Sequence, residues 1–156
     1  IALGNDVVLL DTPGMLWPNL ENRNSGYRLA ATGAIKDTAI SHDDIAFFLL
    51  EYLSDSYPDY LKARFQLDIL PSTAQELMTL IGKQRGCLRS GGLIDMDRVA
   101  KILLLEFRSG TLGRISLETP AMMATEMAEL TIIRQLKAEK RQARKAKGGI
   151  SNAHRH

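Results

Sequence analysis

One short apolar run constrains the fold of this chain more than any other feature. Residues 7–10 read Val-Val-Leu-Leu and are followed at once by the turn-forming sequence Asp-Thr-Pro-Gly. Such a run predicts a strand that is buried on both faces, which needs helices above and below it and other strands at its edges. The residues that follow supply no such sheet. We therefore expect residues 1–24 to be the end of an α/β domain whose other strands precede Ile1.

A hydrophobic strand with unpaired edges invites association with other strands. Without a sheet of its own, we expect the strand at residues 7–10 to take one of two states. Either it lacks fixed structure, or it pairs with the same strand of a second copy and gives an edge-strand dimer.

The rest of the chain is predicted to be helical, because apolar residues recur at helical spacing behind recognisable start signals. One further short strand is expected at residues 113–118, where apolar and polar residues alternate. The predicted fold class is therefore mainly α. The start signals are Ser41 and Asp95 as N-caps, Ser72 with Gln75 as a capping box, and Pro58 and Pro120 as first helical residues.

The last predicted helix changes character along its length. It begins with an apolar stripe that we expect to pack in a core, formed by Met123, Met127, Leu130 and Ile133. After Leu136 the stripe gives way to basic residues.

Charge is distributed unevenly along the chain. The formal net charge is +2, but residues 137–156 carry seven Lys or Arg against one Glu, which is +6. Residues 1–136 hold 13 basic and 17 acidic side chains, which is −4. A basic tail on a mildly acidic body indicates a polyanionic partner, because Lys and Arg that neutralise phosphates release counterions. A solvated helix end would carry the same residues.

The sequence Asp11-Thr12-Pro13-Gly14 has two interpretations. A loop at the carboxyl end of a buried strand is where α/β proteins bind ligands, and an Asp and a Gly there suit Mg²⁺ and phosphate. Pro followed by Gly is also a favoured pair for a type II turn. A phosphate-binding P-loop would decide between them, and the motif GxxxxGK[ST] does not occur in this sequence.

A longer stretch resembles a known family. Residues 9–37, LLDTPGMLWPNLENRNSGYRLAATGAIKD, resemble the circularly permuted GTPases of the ribosome biogenesis GTPase A family (YlqF or RbgA type). The resemblance continues through YPDYLKARFQLD, GKQRGCLRSGGLID and LGRISLETP, to about residue 122. In the permuted order, the P-loop and the base-recognition motifs precede the DxxG motif, so this family implies their absence downstream of Asp11.

The resemblance implies roles for the Asp-Thr-Pro-Gly sequence. It corresponds to the DxxG motif of switch II, formed by Asp11, Thr12, Pro13 and Gly14. Asp11 would hold Mg²⁺ through a water molecule, and Gly14 would approach the γ-phosphate of GTP. Met15 stands where Ras-like GTPases carry a water-orienting glutamine, so another group would have to position the water.

The resemblance also implies a helical C-terminal domain that helps to dock the protein on a precursor of the large ribosomal subunit and its rRNA. We expect RNA contacts from the Arg-Ser-Gly-Gly region, whose glycines allow close backbone approach, and from the basic tail. The proposed contact residues are Lys83, Arg85, Arg89, Lys137, Lys140, Arg141, Arg144 and Lys145.

These observations predict three regions. Residues 1–24 would be the remnant of the GTPase domain, residues 25–136 the helical RNA-binding domain, and residues 137–156 the basic tail. The full-length parent would be a GTP- and Mg²⁺-dependent hydrolase, whereas we expect this chain alone to bind no GTP and to be inactive. We expect no membrane partner and a cytoplasmic location, or the mitochondrial matrix for an organellar member.

An alternative stays open at this stage. The chain could be a free-standing helical domain that binds RNA or protein, with no nucleotide chemistry and with Asp11–Gly14 forming only a turn.

Overall fold

The computed structural model describes residues 2–3, 7–8, 22–35 and 40–152, and within them the chain is mainly α-helical, as predicted. The chain divides into two compact units, residues 1–115 and residues 116–156. The elements in chain order are β1 (Ala2–Leu3), β2 (Val7–Val8), α1 (Arg23–Thr32), α2 (His42–Ser56), α3 (Pro58–Phe65), α4 (Ala74–Gln84), α5 (Met96–Arg108) and α6 (Pro120–Asn152).

The predicted strand forms, but it has a partner in its own chain. β2 pairs antiparallel with β1, in a register that places Leu3 opposite Val7. The sequence between the two strands is Gly-Asn-Asp, and these residue types favour tight turns. The expectation of one strand without an intrachain partner was therefore wrong. Residues 9–10, the rest of the apolar run, lie outside the described residues.

Most of the predicted helix starts are confirmed. The Ser41 hydroxyl accepts a hydrogen bond from the Asp44 backbone N–H at 3.2 Å, and the Asp95 carboxylate accepts one from the Arg98 N–H at 3.2 Å. Both helices predicted to begin with a proline do so. These signals are local, which is why the sequence alone was sufficient to find them.

The start of α4 is displaced by one residue from its prediction. The expected capping box joined Ser72 and Gln75, whereas the Thr73 hydroxyl accepts the hydrogen bond, from the Glu76 N–H at 3.2 Å. Two adjacent hydroxyl residues offer the same chemistry. The backbone places the second one at the extended N-cap position, with φ of −129° and ψ of 149°.

The strand predicted at residues 113–118 is not formed. Gly113 has φ of 122°, and a Cβ atom there would lie 2.6 Å from Cδ2 of Tyr60. This backbone is therefore shaped by contact with a ring on α3. Alternation alone was a poor guide, because a strand also needs a partner strand.

The helical core of the first unit is built around two helices. α2 and α5 pack against each other and each packs against α1 and α4, while α3 packs on α2. Their buried faces are aliphatic and close to fully excluded from solvent. The largest contributions come from Ile45, Leu49, Leu50, Leu53, Leu61, Leu77, Met78, Ile81, Leu103 and Leu104.

The second unit contains α6, a helix of 33 residues. Within this unit no other helix is described, and Met127 and Ile133 of the predicted core stripe are 49% and 44% exposed. Core packing was therefore the wrong expectation for these two residues. The region boundaries predicted after residues 24 and 136 both fall inside helices, α1 and α6 respectively.

Candidate RNA-contact surface

A small hairpin connects α4 to α5 and carries one of the predicted contact residues. The backbone N–H of Asp95 donates to the carbonyl of Cys87 at 2.8 Å, and the N–H of Arg89 donates to the carbonyl of Leu93 at 2.8 Å. Cys87 is fully buried, so it fixes one end of the hairpin in the core. We call residues 87–95 the 87–95 hairpin.

The tip of the 87–95 hairpin depends on two glycines. Gly91 and Gly92 have φ of 83° and 78°, in the left-handed region that other residues rarely adopt. Both are exposed, and a Cβ atom added at either position would meet nothing within 4 Å. The glycines are thus required by backbone conformation rather than by packing. They leave the main chain at the tip accessible, as the sequence predicts.

Close packing holds the base of the hairpin. A Cβ atom at Gly82 of α4 would lie 2.6 Å from Cγ2 of Ile94 and 2.9 Å from Cγ2 of Val99. Only a residue without a side chain allows α4 to approach the hairpin and α5 this closely. The hairpin is therefore anchored at its base by packing and by the main-chain bonds to Cys87.

Arg89 is paired within the hairpin. Its guanidinium donates to the Asp95 carboxylate at 2.8 Å, while its side chain is 60% exposed. The pKa of Asp95 is held below its ordinary value of 3.8, first by the hydrogen bond from Arg89 and then by that from the Arg98 backbone N–H. The same pair raises the pKa of Arg89. Arg89 thus presents an exposed guanidinium whose position is fixed by one carboxylate.

Arg85 belongs to a different ion pair. Its guanidinium and that of Arg64 both donate to the same oxygen of Glu106, each at 2.7 Å. A second bond joins Nε of Arg64 to the other oxygen at 3.0 Å, so this pair is bidentate. The Glu106 side chain is only 12% exposed. One carboxylate on α5 therefore holds α3 and the end of α4 together.

The two arginines line an open cleft of about 350 Å³. The other lining residues are Phe65, Gln66 and Gln84. The amide of Gln84 donates to the carbonyl of Phe65 at 2.9 Å, which links the C-terminal ends of α3 and α4. We call this the Arg64–Arg85 cleft.

The remaining predicted contacts are on α4 and α6. Lys83 is exposed in the last turn of α4. Lys137, Lys140 and Arg141 are exposed on α6, and the same helix contains the two other proposed residues, 144 and 145. Residues with this spacing of three and four share one face of a helix. Lys137, Lys140 and Arg141 therefore form a basic stripe on α6, and the helix itself continues beyond residue 145.

The nucleotide-site prediction is not tested by the structure. Asp11, Thr12, Pro13 and Gly14 lie outside the described residues. Among the residues that are described, no group of three or more His, Cys, Asp or Glu side chains could hold a metal ion.

One half-buried carboxylate elsewhere in the first unit, that of Asp43, has a perturbed pKa. Oδ1 of Asp43 is buried without a hydrogen-bond partner among the described residues. Burial raises the pKa of Asp43 above 3.8, and the neighbouring carboxylates of Asp97 and Asp44 raise it further. Asp43 is therefore a destabilising charge at neutral pH.

Sequence reasoning missed Arg64 and Glu106. They are 42 positions apart, and no local pattern connects them. Only the packing of α3 against the core brings the two side chains together with Arg85. The acidic partner of Arg89, in contrast, is six residues away and was already identified as a helix cap.

Comparison with known proteins gives the family. The chain is 41% identical over 136 residues to ribosome biogenesis GTPase A of Bacillus cereus, which covers 87% of the chain and 46% of that protein. It is 44% identical over 121 residues to ribosome biogenesis GTPase A of Priestia megaterium, covering 78% of the chain and 42% of that protein. The chain belongs to the ribosome biogenesis GTPase A family.

A more distant relative is GTPase grn1 of Schizosaccharomyces pombe, 29% identical over 121 residues, with 70% of the chain and 25% of that protein covered. No protein-family model matches the chain. The chain spans less than half the length of the bacterial ribosome biogenesis GTPases A it matches. In the part of the chain that the structure describes, no helix is long and apolar enough to cross a membrane.

Proposed function

We propose that this chain is the C-terminal region of a GTPase that acts in the assembly of the large ribosomal subunit. In this proposal the helical unit docks the protein on precursor rRNA. The observation that carries it is the extent of the similarity to ribosome biogenesis GTPase A, which covers 78–87% of the chain in two bacterial relatives and hence most of its helices.

The surface of the helical unit supports a role in docking. Arg85 and Arg89 are exposed enough to touch a ligand, yet each is fixed by a carboxylate, at Glu106 and Asp95 respectively. Arginines fixed in this way can recognise phosphates at defined positions, because their guanidinium forks suit bidentate contacts. Exposed glycine backbone at the hairpin tip allows a ligand to approach the same surface closely.

GTP and Mg²⁺ belong, in this proposal, to the longer protein. Asp11 and Gly14 would contribute the switch II contacts of a pocket whose P-loop and base-recognition motifs are not in this sequence. In the intact enzyme, Asp11→Ala should lower Mg²⁺-dependent GTP turnover and leave the helical unit folded. Calorimetry that detects micromolar GTP binding to residues 1–156 alone would contradict the proposed division of labour. The proposed location is the cytoplasm.

A binding experiment tests the docking role directly. The chain should bind a structured fragment of large-subunit rRNA in a filter-binding assay and should co-sediment with precursor large subunits in a sucrose gradient. The small subunit serves as the comparison ribosomal particle. If the chain co-sediments with the large-subunit precursor no more strongly than with the small subunit, the result would argue against the proposal.

A further inference from the structure

We infer that the Arg64–Arg85 cleft receives a backbone phosphate of the docked RNA. This inference rests on the proposed docking function and assigns one atom-level contact within it. Its basis is the pairing of two guanidinium groups with a single carboxylate at the wall of an open cleft.

Charge balance is the first argument. Arg64 and Arg85 carry two positive charges, and Glu106 supplies one negative charge to both. Between them, the guanidiniums keep most of their N–H donors, because Arg64 uses only Nε and Nη2, and Arg85 only Nη2, in bonds to the carboxylate. The cleft therefore holds an excess positive charge with donors to spare, which is the requirement for an anion.

Preorganisation is the second argument. Glu106 is largely buried, and its bidentate bond fixes the plane of the Arg64 guanidinium. The side chains of Arg64 and Arg85 are each about one third exposed, at 30% and 32%, so both are accessible from solvent. Since both groups are already held in place, a phosphate would not have to pay for ordering two flexible arginines.

The helix ends at the cleft disfavour an anion, but hydrogen bonds reduce this effect. α3 and α4 both end here, and helix C-termini carry partial negative charge. The Phe65 carbonyl accepts from the Gln84 amide, and the Lys62 carbonyl accepts from the backbone N–H of Leu67. The first of these bonds satisfies a terminal carbonyl of a residue that lines the cleft. The full charges of two guanidiniums are larger than the partial charges of the helix ends.

Opposite substitutions separate a phosphate site from a purely structural ion pair. Arg64→Gln and Arg85→Gln should each weaken binding of the structured rRNA fragment by about tenfold or more, the lower end of the usual cost of a lost hydrogen bond to a charged group. Glu106→Gln should strengthen it about threefold, because the Gln amide oxygen can still accept the bonds from both guanidiniums while the competing negative charge is removed. All three changes should lower the thermal midpoint of the chain, since all three break the same ion-pair network.

Arg98→Gln is the matched control. It removes an equal charge from the same helical unit but does not line the cleft, so affinity should fall less than twofold. A structural role alone predicts that Arg64→Gln and Glu106→Gln change RNA affinity in the same direction, and that result would overturn the inference. So would Arg64→Gln behaving like Arg98→Gln while the parent chain binds RNA, an outcome that leaves the docking proposal intact. If the parent chain binds no structured RNA, the docking proposal and the cleft assignment both fail.

Discussion

The 87–95 hairpin and the basic stripe of α6 carry the same kind of charge in different settings. In the hairpin, a carboxylate at 2.8 Å fixes Arg89, and buried Cys87 and the close contact at Gly82 fix the loop itself. On α6, Lys137, Lys140 and Arg141 are exposed on a single long helix. Long, exposed side chains supply charge without a defined position, whereas paired arginines on a packed loop supply both. We therefore expect the stripe to govern affinity and the hairpin to govern placement.

The largest expected effect is on the salt dependence of RNA binding. Replacing Lys140, Arg141, Arg144 and Lys145 by Ala should flatten the slope of log K against log salt by ~3–4 units if all four contact phosphate, taking the duplex DNA value of about 0.9 per contact as a guide. Filter binding over a series of salt concentrations measures this slope. An unchanged slope would show that these four side chains face solvent and do not contact phosphate.

A smaller change in slope, with a larger loss of co-sedimentation with precursor subunits, is expected from the 87–95 hairpin together with Arg85 just before it. Replacing Arg85 and Arg89 by Gln should shift the slope by at most ~2 units. It should nevertheless reduce co-sedimentation with precursor large subunits more than the four α6 substitutions do. If the α6 variant loses more co-sedimentation, the division between affinity and placement is wrong.

A substitution that loosens the base of the 87–95 hairpin should leave Arg89 with a less defined position, like the exposed basic residues of α6. Gly82→Ala places a methyl group 2.6 Å from Cγ2 of Ile94, so the base of the hairpin must shift. We expect a loss of about 1–3 kcal/mol in the free energy of unfolding. Hydrogen exchange of the Arg89 and Asp95 amides should also become faster. Urea denaturation checks the first expectation, and unchanged exchange would show that the hairpin is held by other contacts.

A modest pH effect comes from Asp43, outside both regions. Its pKa is raised in the folded state, so the folded chain binds more protons than the unfolded chain as pH increases above 3.8. This carboxylate therefore lowers stability as pH rises through its folded pKa. Asp43→Asn should remove that loss and give a slightly higher thermal midpoint at neutral pH than the parent.

Asp95 and Asp97 act with the opposite sign, because their pKa values are lowered and their stabilising effect is lost as pH falls below 3.8. The Asp43→Asn variant should therefore still lose stability in acid. A variant that is less stable than the parent at neutral pH would contradict the assignment of Asp43 as a destabilising charge.

The smallest expected effect comes from the N-terminal residues. Deleting residues 1–20 should leave the thermal transition of the helices almost unchanged, because the buried core residues of the described helical segments run from Ala30 to Leu117. Sedimentation equilibrium before and after the deletion would also test the predicted edge-strand dimer. Loss of cooperative unfolding would show that this segment contributes to the core.

The sequence was sufficient to predict helix starts, because residues within a single turn of the chain determine them. Ser41 and Asp95 cap helices through bonds to residues three positions ahead, and such signals are complete within a short window. The Glu106 pairs could not be found in this way, because their geometry depends on how three helical segments meet. The pairing of β2 with β1 was missed for a related reason: an apolar run indicates burial but not which partner strand it meets.

If the basic end of α6 contacts RNA as proposed, its helical form sets the length of RNA that it covers. Because a helix rises about 1.5 Å per residue, the basic positions from Lys137 to Lys145 occupy about 12 Å of its axis. Phosphates on one strand of duplex DNA are about 3.4 Å apart along the axis, and with this value as a guide for RNA the stripe matches a footprint of about three to four steps. A helix keeps this footprint at constant length, whereas a flexible tail of the same residues would stretch or contract with its ligand. The basic end of α6 would therefore contact an RNA segment of fixed length.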